Sequence, residues 1–219
     1  MISENYIAFF KKLEKNNEKE WFHEHKSEYE SAAKKPFIKL IDSLISELIK
    51  LEPSISKNPK DALFKINRDI RFSKDKTPYH TLLKAGFSAG GKKSKLPGFY
   101  LGIGAEKIHV GGGLYNIKSS DLYAIRTLIT ENTDEFIKIV NSKSFVSNFQ
   151  GLKGEQSKRL DKNFQPILVK TPYIANKQFY AMQELPLTDY LNSDKILSAV
   201  ENSFKEINPL NQFLKKAFQ

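Results

Sequence analysis

Between Arg68 and Tyr79 the chain reads Arg-Asp-Ile-Arg-Phe-Ser-Lys-Asp-Lys-Thr-Pro-Tyr. Two guanidiniums, two carboxylates, two ammoniums and a phenol fall within a dozen residues of little apolar content. Of 35 basic residues in the chain, only Arg68, Arg71, Arg126 and Arg159 are arginine, so half the Arg lies three residues apart. Lysine supplies a bare positive charge. Arginine adds a planar fork of donors that holds carboxylate or phosphate at two points. The run therefore predicts a fixed site or a fixed ion-pair network.

On a strand, Asp69 and Arg71 would share one face, with Arg68 beside Ile66, Ile70 and Phe72 on the other. On a helix, Arg68, Arg71 and Asp75 would share a face. Either geometry juxtaposes Arg with Asp. The functional expectation is an anion pocket from Arg68, Arg71 and Lys76, with Asp69 and Asp75 orienting the forks or acting as general bases. Tyr79 would donate a proton, and His80 could stack or donate beside it. The bland alternative is a structural Arg–Asp network in a protein-interaction domain. A metal site from Asp69, Asp75 and His80 has no supporting spacing, and Arg71, Lys74 and Lys76 oppose a divalent cation.

Other motifs exclude more than they propose. There is no cysteine, so no disulfide, thiolate metal site or cysteine nucleophile. No Walker A loop or Gly-x-Ser-x-Gly elbow is present, and no motif calls for a cofactor. His23 and His25, two apart on a helix, point in different directions. Gly111-Gly112-Gly113 follows His109-Val110. It reads as an anion nest, or, more simply, as a tight exit from a strand.

The net charge is +10, concentrated between Lys57 and Lys95, where 11 basic residues face three acidic ones. Such a surface attracts an anionic small molecule or nucleic acid. Phe72, Tyr79, Phe87, Phe99 and Tyr100 interleave with the basic residues, so a nucleic-acid-associated module is the second functional class. No RNP-like or helix-turn-helix signature accompanies them. No basic leader or long apolar run appears, which gives the expectation of a cytoplasmic protein with no membrane partner.

The elements that must position these residues follow from periodicity. Residues 5 to 15 predict a helix broken at Asn16-Asn17. A second carries Trp21, Phe22, His25 and Tyr29 until Pro36 interrupts or kinks it. A strong stripe follows at Phe37, Leu40, Ile41, Leu44, Ile45 and Leu48, ended at Glu52-Pro53. The charged run is read as extended or irregular. Strands are predicted from Ala85 to Ala89, Gly98 to Ile103, Lys107 to Val110 and Gln178 to Gln183, with a turn at Gly104–Lys107. Helices return after Tyr115, capped by Ser119 or Ser120, and from Asp194, with a kink or restart at Pro209. The fold class is α+β: one domain over 1–219, a mostly antiparallel sheet with helices at both ends of the chain.

The same residues carry a resemblance. Lys65-Ile66-Asn67-Arg68-Asp69-Ile70-Arg71-Phe72, then Asp75-Lys76 and Tyr79, is similar to the hallmark of a bacterial family of conserved hypothetical proteins, a domain of unknown function. Lys65 stands where the family pattern has Arg. Asn16-Asn17 with Glu20-Trp21-Phe22, the stretch from Phe99 to Tyr115, and Gly151-Leu152-Lys153-Gly154-Glu155 with Lys158-Arg159 extend the likeness along the chain. The resemblance implies one α+β domain and no established activity.

Overall fold

A computed structural model describes residues 1–219. The chain begins with α1 (Glu4–Lys15), α2 (Lys19–Glu24) and α3 (Lys26–Glu28). A wider π-type turn at Tyr29–Lys34 then leads directly into α4 (Lys35–Leu51). Of the expected interruption or kink at Pro36, the interruption is therefore corrected. Pro36 sits in the first turn of α4, where its missing N–H is tolerated, and the wide turn before it absorbs the change in bonding. α5 (Pro59–Ala62) is one turn, capped by Asn58, whose side chain accepts from the Lys60 amide.

Four strands form one sheet: β1 (Leu83–Ser88), β2 (Gly98–Ile103), β3 (Lys107–Leu114) and β4 (Phe179–Pro186). They pair in sequence order, every pair antiparallel. Alternation puts Leu83, Ala85, Phe87, Phe99, Leu101, Ile103, Ile108 and Val110 on one face, all buried. The long C-terminal helix α9 (Lys195–Lys215) packs on that face. Phe204 meets Phe87 and Phe99, and Asn211 donates to the Gly98 carbonyl. Tyr6 of α1 reaches across to donate to the Ile103 carbonyl at 2.7 Å. One continuous core of 45 buried residues joins these layers with α6 (Ser119–Glu131), α7 (Thr133–Val140) and α8 (Lys143–Phe149).

Four local expectations are revised. No side chain caps α6; Lys118 precedes it in extended geometry and Ser119 is already helical. Asp194 makes no capping bond either, and Ser193 Oγ accepts from the Lys195 amide instead. α9 does not restart at Pro209, which lies inside a helix that runs on to Lys215. The last revision concerns the glycine run. It is neither a nest nor a strand exit, because β3 continues through it, paired with β2 and β4 on both sides. A Cβ on Gly111 would overlap the Ala181 carbonyl oxygen, and one on Gly113, at φ +116°, the Phe179 carbonyl oxygen. The glycines let neighbouring strands approach closely.

Gly111→Ala should therefore cost about 3 kcal/mol or more, since backbone rather than a flexible side chain must yield. A urea midpoint equal to that of wild type would contradict this reading of β3.

Candidate functional site

The charged run is the tip of a short hairpin-like excursion. Its two arms pair: the Arg68 amide donates to the Pro78 carbonyl at 2.8 Å, and the His80 amide to the Ile66 carbonyl at 2.8 Å. Asn67 and Tyr79 face each other between those bonds. Helices α1 and α2 hold the excursion from below. Asn17, in the turn between them, accepts from the Tyr79 amide at 3.0 Å and donates to the Tyr79 carbonyl at 2.9 Å. The buried Tyr79 ring stacks on Phe22, with centroids 4.0 Å apart. Burial, together with the nearby Glu20, raises the Tyr79 phenol above its usual pKa.

The structure separates the motif residues into three groups. Arg71 lies against Asp69 in a two-point contact (Nε to Oδ1 2.9 Å, Nη2 to Oδ2 2.7 Å), fully in solvent. Bonding from the Arg71 side chain and amide holds Asp69 at about 2. Lys76 donates to the Ile70 carbonyl at 3.0 Å and closes the loop. Phe72 stands at the tip, 94% exposed, with the Arg71 guanidinium 5.9 Å from its ring centroid. Tyr79 belongs to the helical cluster beneath.

Arg68 is the motif residue turned inward, its side chain 21% exposed. Its Nη1 donates to Asp75 Oδ2 at 2.5 Å, to the Thr77 carbonyl at 3.1 Å and to the Thr77 hydroxyl. Asp75 also accepts from the Thr77 amide and hydroxyl. These bonds, the Thr77 amide first and Arg68 next, lower the Asp75 carboxyl to about 2. At neutral pH both acids of the motif are therefore ionised and engaged by these donors. Nε and Nη2 of Arg68 bond to no protein group, so half the fork is free.

Near enough to feel the Arg68 charge are His80 and a residue that the sequence does not single out, Lys84. Lys84 Nζ and His80 Nε2 are 2.9 Å apart. Burial, then Lys84 and Arg68, push the His80 imidazole from its ordinary 6.5 to about 4. Burial and Arg68 lower the Lys84 ammonium. No carboxylate offsets either group. Lys84 stands on the sheet face away from α9, in a cross-strand row with Gly102, His109 and Glu184. The space over Gly102 is taken by the Tyr100 hydroxyl and the Leu82 side chain, each 2.9 Å from where its Cβ would stand. The Tyr100 hydroxyl has no protein partner, and burial raises it to about 12. His109 Nδ1 sits 3.5 Å from Glu184 at the far end of the row.

Lys84 is hidden from the sequence by a strand boundary. A strand starting at Ala85 leaves Lys84 on the preceding loop. Leu83-Lys84-Ala85, buried on either side of a half-exposed Lys, is the alternation that reveals its face. No three His, Asp or Glu side chains come together to hold a metal ion. An open depression lined by Ser54, Ser56, Asp61, Gly90, Gly91, Lys92 and Lys93 is a separate surface feature, reached from the loop after Ser88.

The family described as "Conserved hypothetical protein (DUF2461)" matches residues 5–213. The chain belongs to this family. Its match takes in the Arg68–Tyr79 hairpin, all four strands and most of α9, so the corner at Arg68, His80 and Lys84 lies wholly within the DUF2461 region. Comparison with curated proteins gave no match. No helix is long and apolar enough to cross a membrane.

Asp69 and Asp75 have depressed pKa values, so their contribution to the hairpin is complete above the ordinary carboxylate range and fades only as pH falls through about 2. Side-chain carboxyl NMR titration should give both midpoints near 2. Midpoints near the ordinary aspartate value of about 3.9 would mean that the Arg pairs do not persist in solution.

Proposed function

We propose that this DUF2461 chain binds a small phosphorylated or otherwise anionic molecule at the corner made by Arg68, His80 and Lys84. The observation that carries the reading is the gathering of three basic side chains with no carboxylate beside His80 or Lys84. Like charges held together and partly buried raise the free energy of the empty state. An anion relieves that repulsion and takes up the free donors of Arg68, two points at once. Asp75 is the positioning residue, since it fixes Nη1 and leaves Nε and Nη2 presented. Arg71 and Lys76 add positive potential along the loop, and Asp69 holds Arg71. Tyr100 offers a hydroxyl over Gly102 to the same ligand.

A second reading has one observation in its favour. Phe72 projects into solvent with the Arg71 guanidinium over its ring, an arrangement that can stack a base of single-stranded nucleic acid. It would use the loop tip rather than the inner corner.

A thermal-shift experiment separates the two. Saturating pyrophosphate or a sugar phosphate, at about a hundredfold excess over Kd, stabilises by about 2.7 kcal/mol, roughly 5–10 °C for a chain of this length. Arg68→Lys and Lys84→Met should lose that shift, and Arg71→Lys should keep most of it. Ligand-free Lys84→Met should melt at or above wild type, because a disfavoured charge is removed. No shift with any anion, or a strongly destabilised Lys84→Met, would contradict the corner as a binding site. A salt-sensitive shift with an oligonucleotide, abolished by Phe72→Ala, would move the assignment to the loop tip.

A further inference from the structure

Anion binding alone does not account for the setting of the Lys84 amine. An anion needs only charge at this position, and an exposed Lys would serve. Lys84 instead is the second residue of a paired strand, fixed opposite Gly102, and is half-buried. Its one hydrogen-bonding partner is an imidazole nitrogen rather than a carboxylate, and a guanidinium lies close by. A lysine shielded from water beside another cation is the setting in which the neutral amine becomes accessible and nucleophilic at neutral pH. Across the strand pair, Gly102 lacks a side chain, and the Tyr100 hydroxyl lies over it with no protein partner.

We propose that Lys84 forms an imine with a carbonyl compound that carries a carboxylate or phosphate, the acidic group being held by Arg68. This rests on the anion reading and deepens it by naming a reactive carbonyl as the ligand's second feature. The step balances without a co-reactant. The Lys84 ammonium first gives one proton to solvent. The amine lone pair then attacks the carbonyl carbon, and a C–N bond forms. The carbonyl oxygen leaves as water, taking with it the two remaining amine hydrogens. The Tyr100 hydroxyl lies over Gly102, the cross-strand partner of Lys84, and is the donor offered to the departing oxygen. His80 Nε2 holds the amine in position before attack.

Reductive trapping tests this directly. The full chain is incubated at neutral pH with glyoxylate and cyanoborohydride, then digested, and each lysine's adduct is quantified by mass spectrometry. Formaldehyde, a carbonyl without the acid, is the parallel probe. Lys84 should be the dominant glyoxylate adduct, and Lys84→Arg should lose it while the exposed lysines label as before. Arg68→Met should keep formaldehyde labelling of Lys84 and lose the preference for glyoxylate. Label spread over exposed lysines with no excess at Lys84 would overturn the proposal. If pyrophosphate still stabilises that same protein, the anion site stands and only the imine is lost. If formaldehyde labels Lys84 but glyoxylate gains nothing over it and no anion stabilises the chain, both readings fall.

Discussion

Asn17 grips the Tyr79 backbone through both halves of its amide, and the Phe22 ring stacks on the Tyr79 side chain beside it. This clamp joins the turn after α1 to the base of the charged hairpin. Everything in the candidate corner hangs from it. The Asn67–Tyr79 pairing sets the register of the two arms, and that register puts Arg68 and His80 on one face, above Lys84 of β1. Two side-chain-to-backbone bonds and one aromatic stack are worth a few kcal/mol together. That is enough to order a loop whose own ion pairs are exposed and therefore weak.

The sheet supplies the second constraint. Its α9-facing side is filled by aromatic and aliphatic residues, so every other residue must face the opposite way. Lys84, Tyr100 and His109 are placed there by strand phase alone. The glycines of β3 let the strands close up, and Gly102 of β2 opens room for the Tyr100 hydroxyl. A packed core on one face thus fixes polar groups on the other with little freedom to move.

Much of the fold is legible in the sequence because it depends on periodicity. The stripe from Phe37 to Leu48, the strand from Gly98 to Ile103 and the turn at Gly104 follow from local pattern. Pro36 and Gly111–Gly113 mislead for one reason: residues that break local structure are tolerated when a wide turn or a neighbouring strand accommodates them. At the site, the Arg68–Tyr79 run announces its chemistry by composition, and its Arg–Asp pairing follows from spacing. Which Arg turns inward cannot be read locally, since that depends on Asn17, 62 residues from Tyr79. Lys84 and Tyr100 enter through strand register, a property no single segment encodes.

The corner depends on His80 remaining uncharged because cations crowd it. Its depressed pKa means that the neutral ring stabilises the fold above about 6.5, and that this contribution is lost as pH falls through about 4. A bound anion should reverse the effect and raise the pKa, since it favours the protonated ring. The decisive measurement is an NMR titration of the His80 imidazole, alone and with saturating pyrophosphate. The expected result is a midpoint near 4 for the free protein and a clear upward displacement with the anion. A midpoint near 6.5 that ignores the anion would mean that the three basic groups are not crowded together and that the corner is not an anion site.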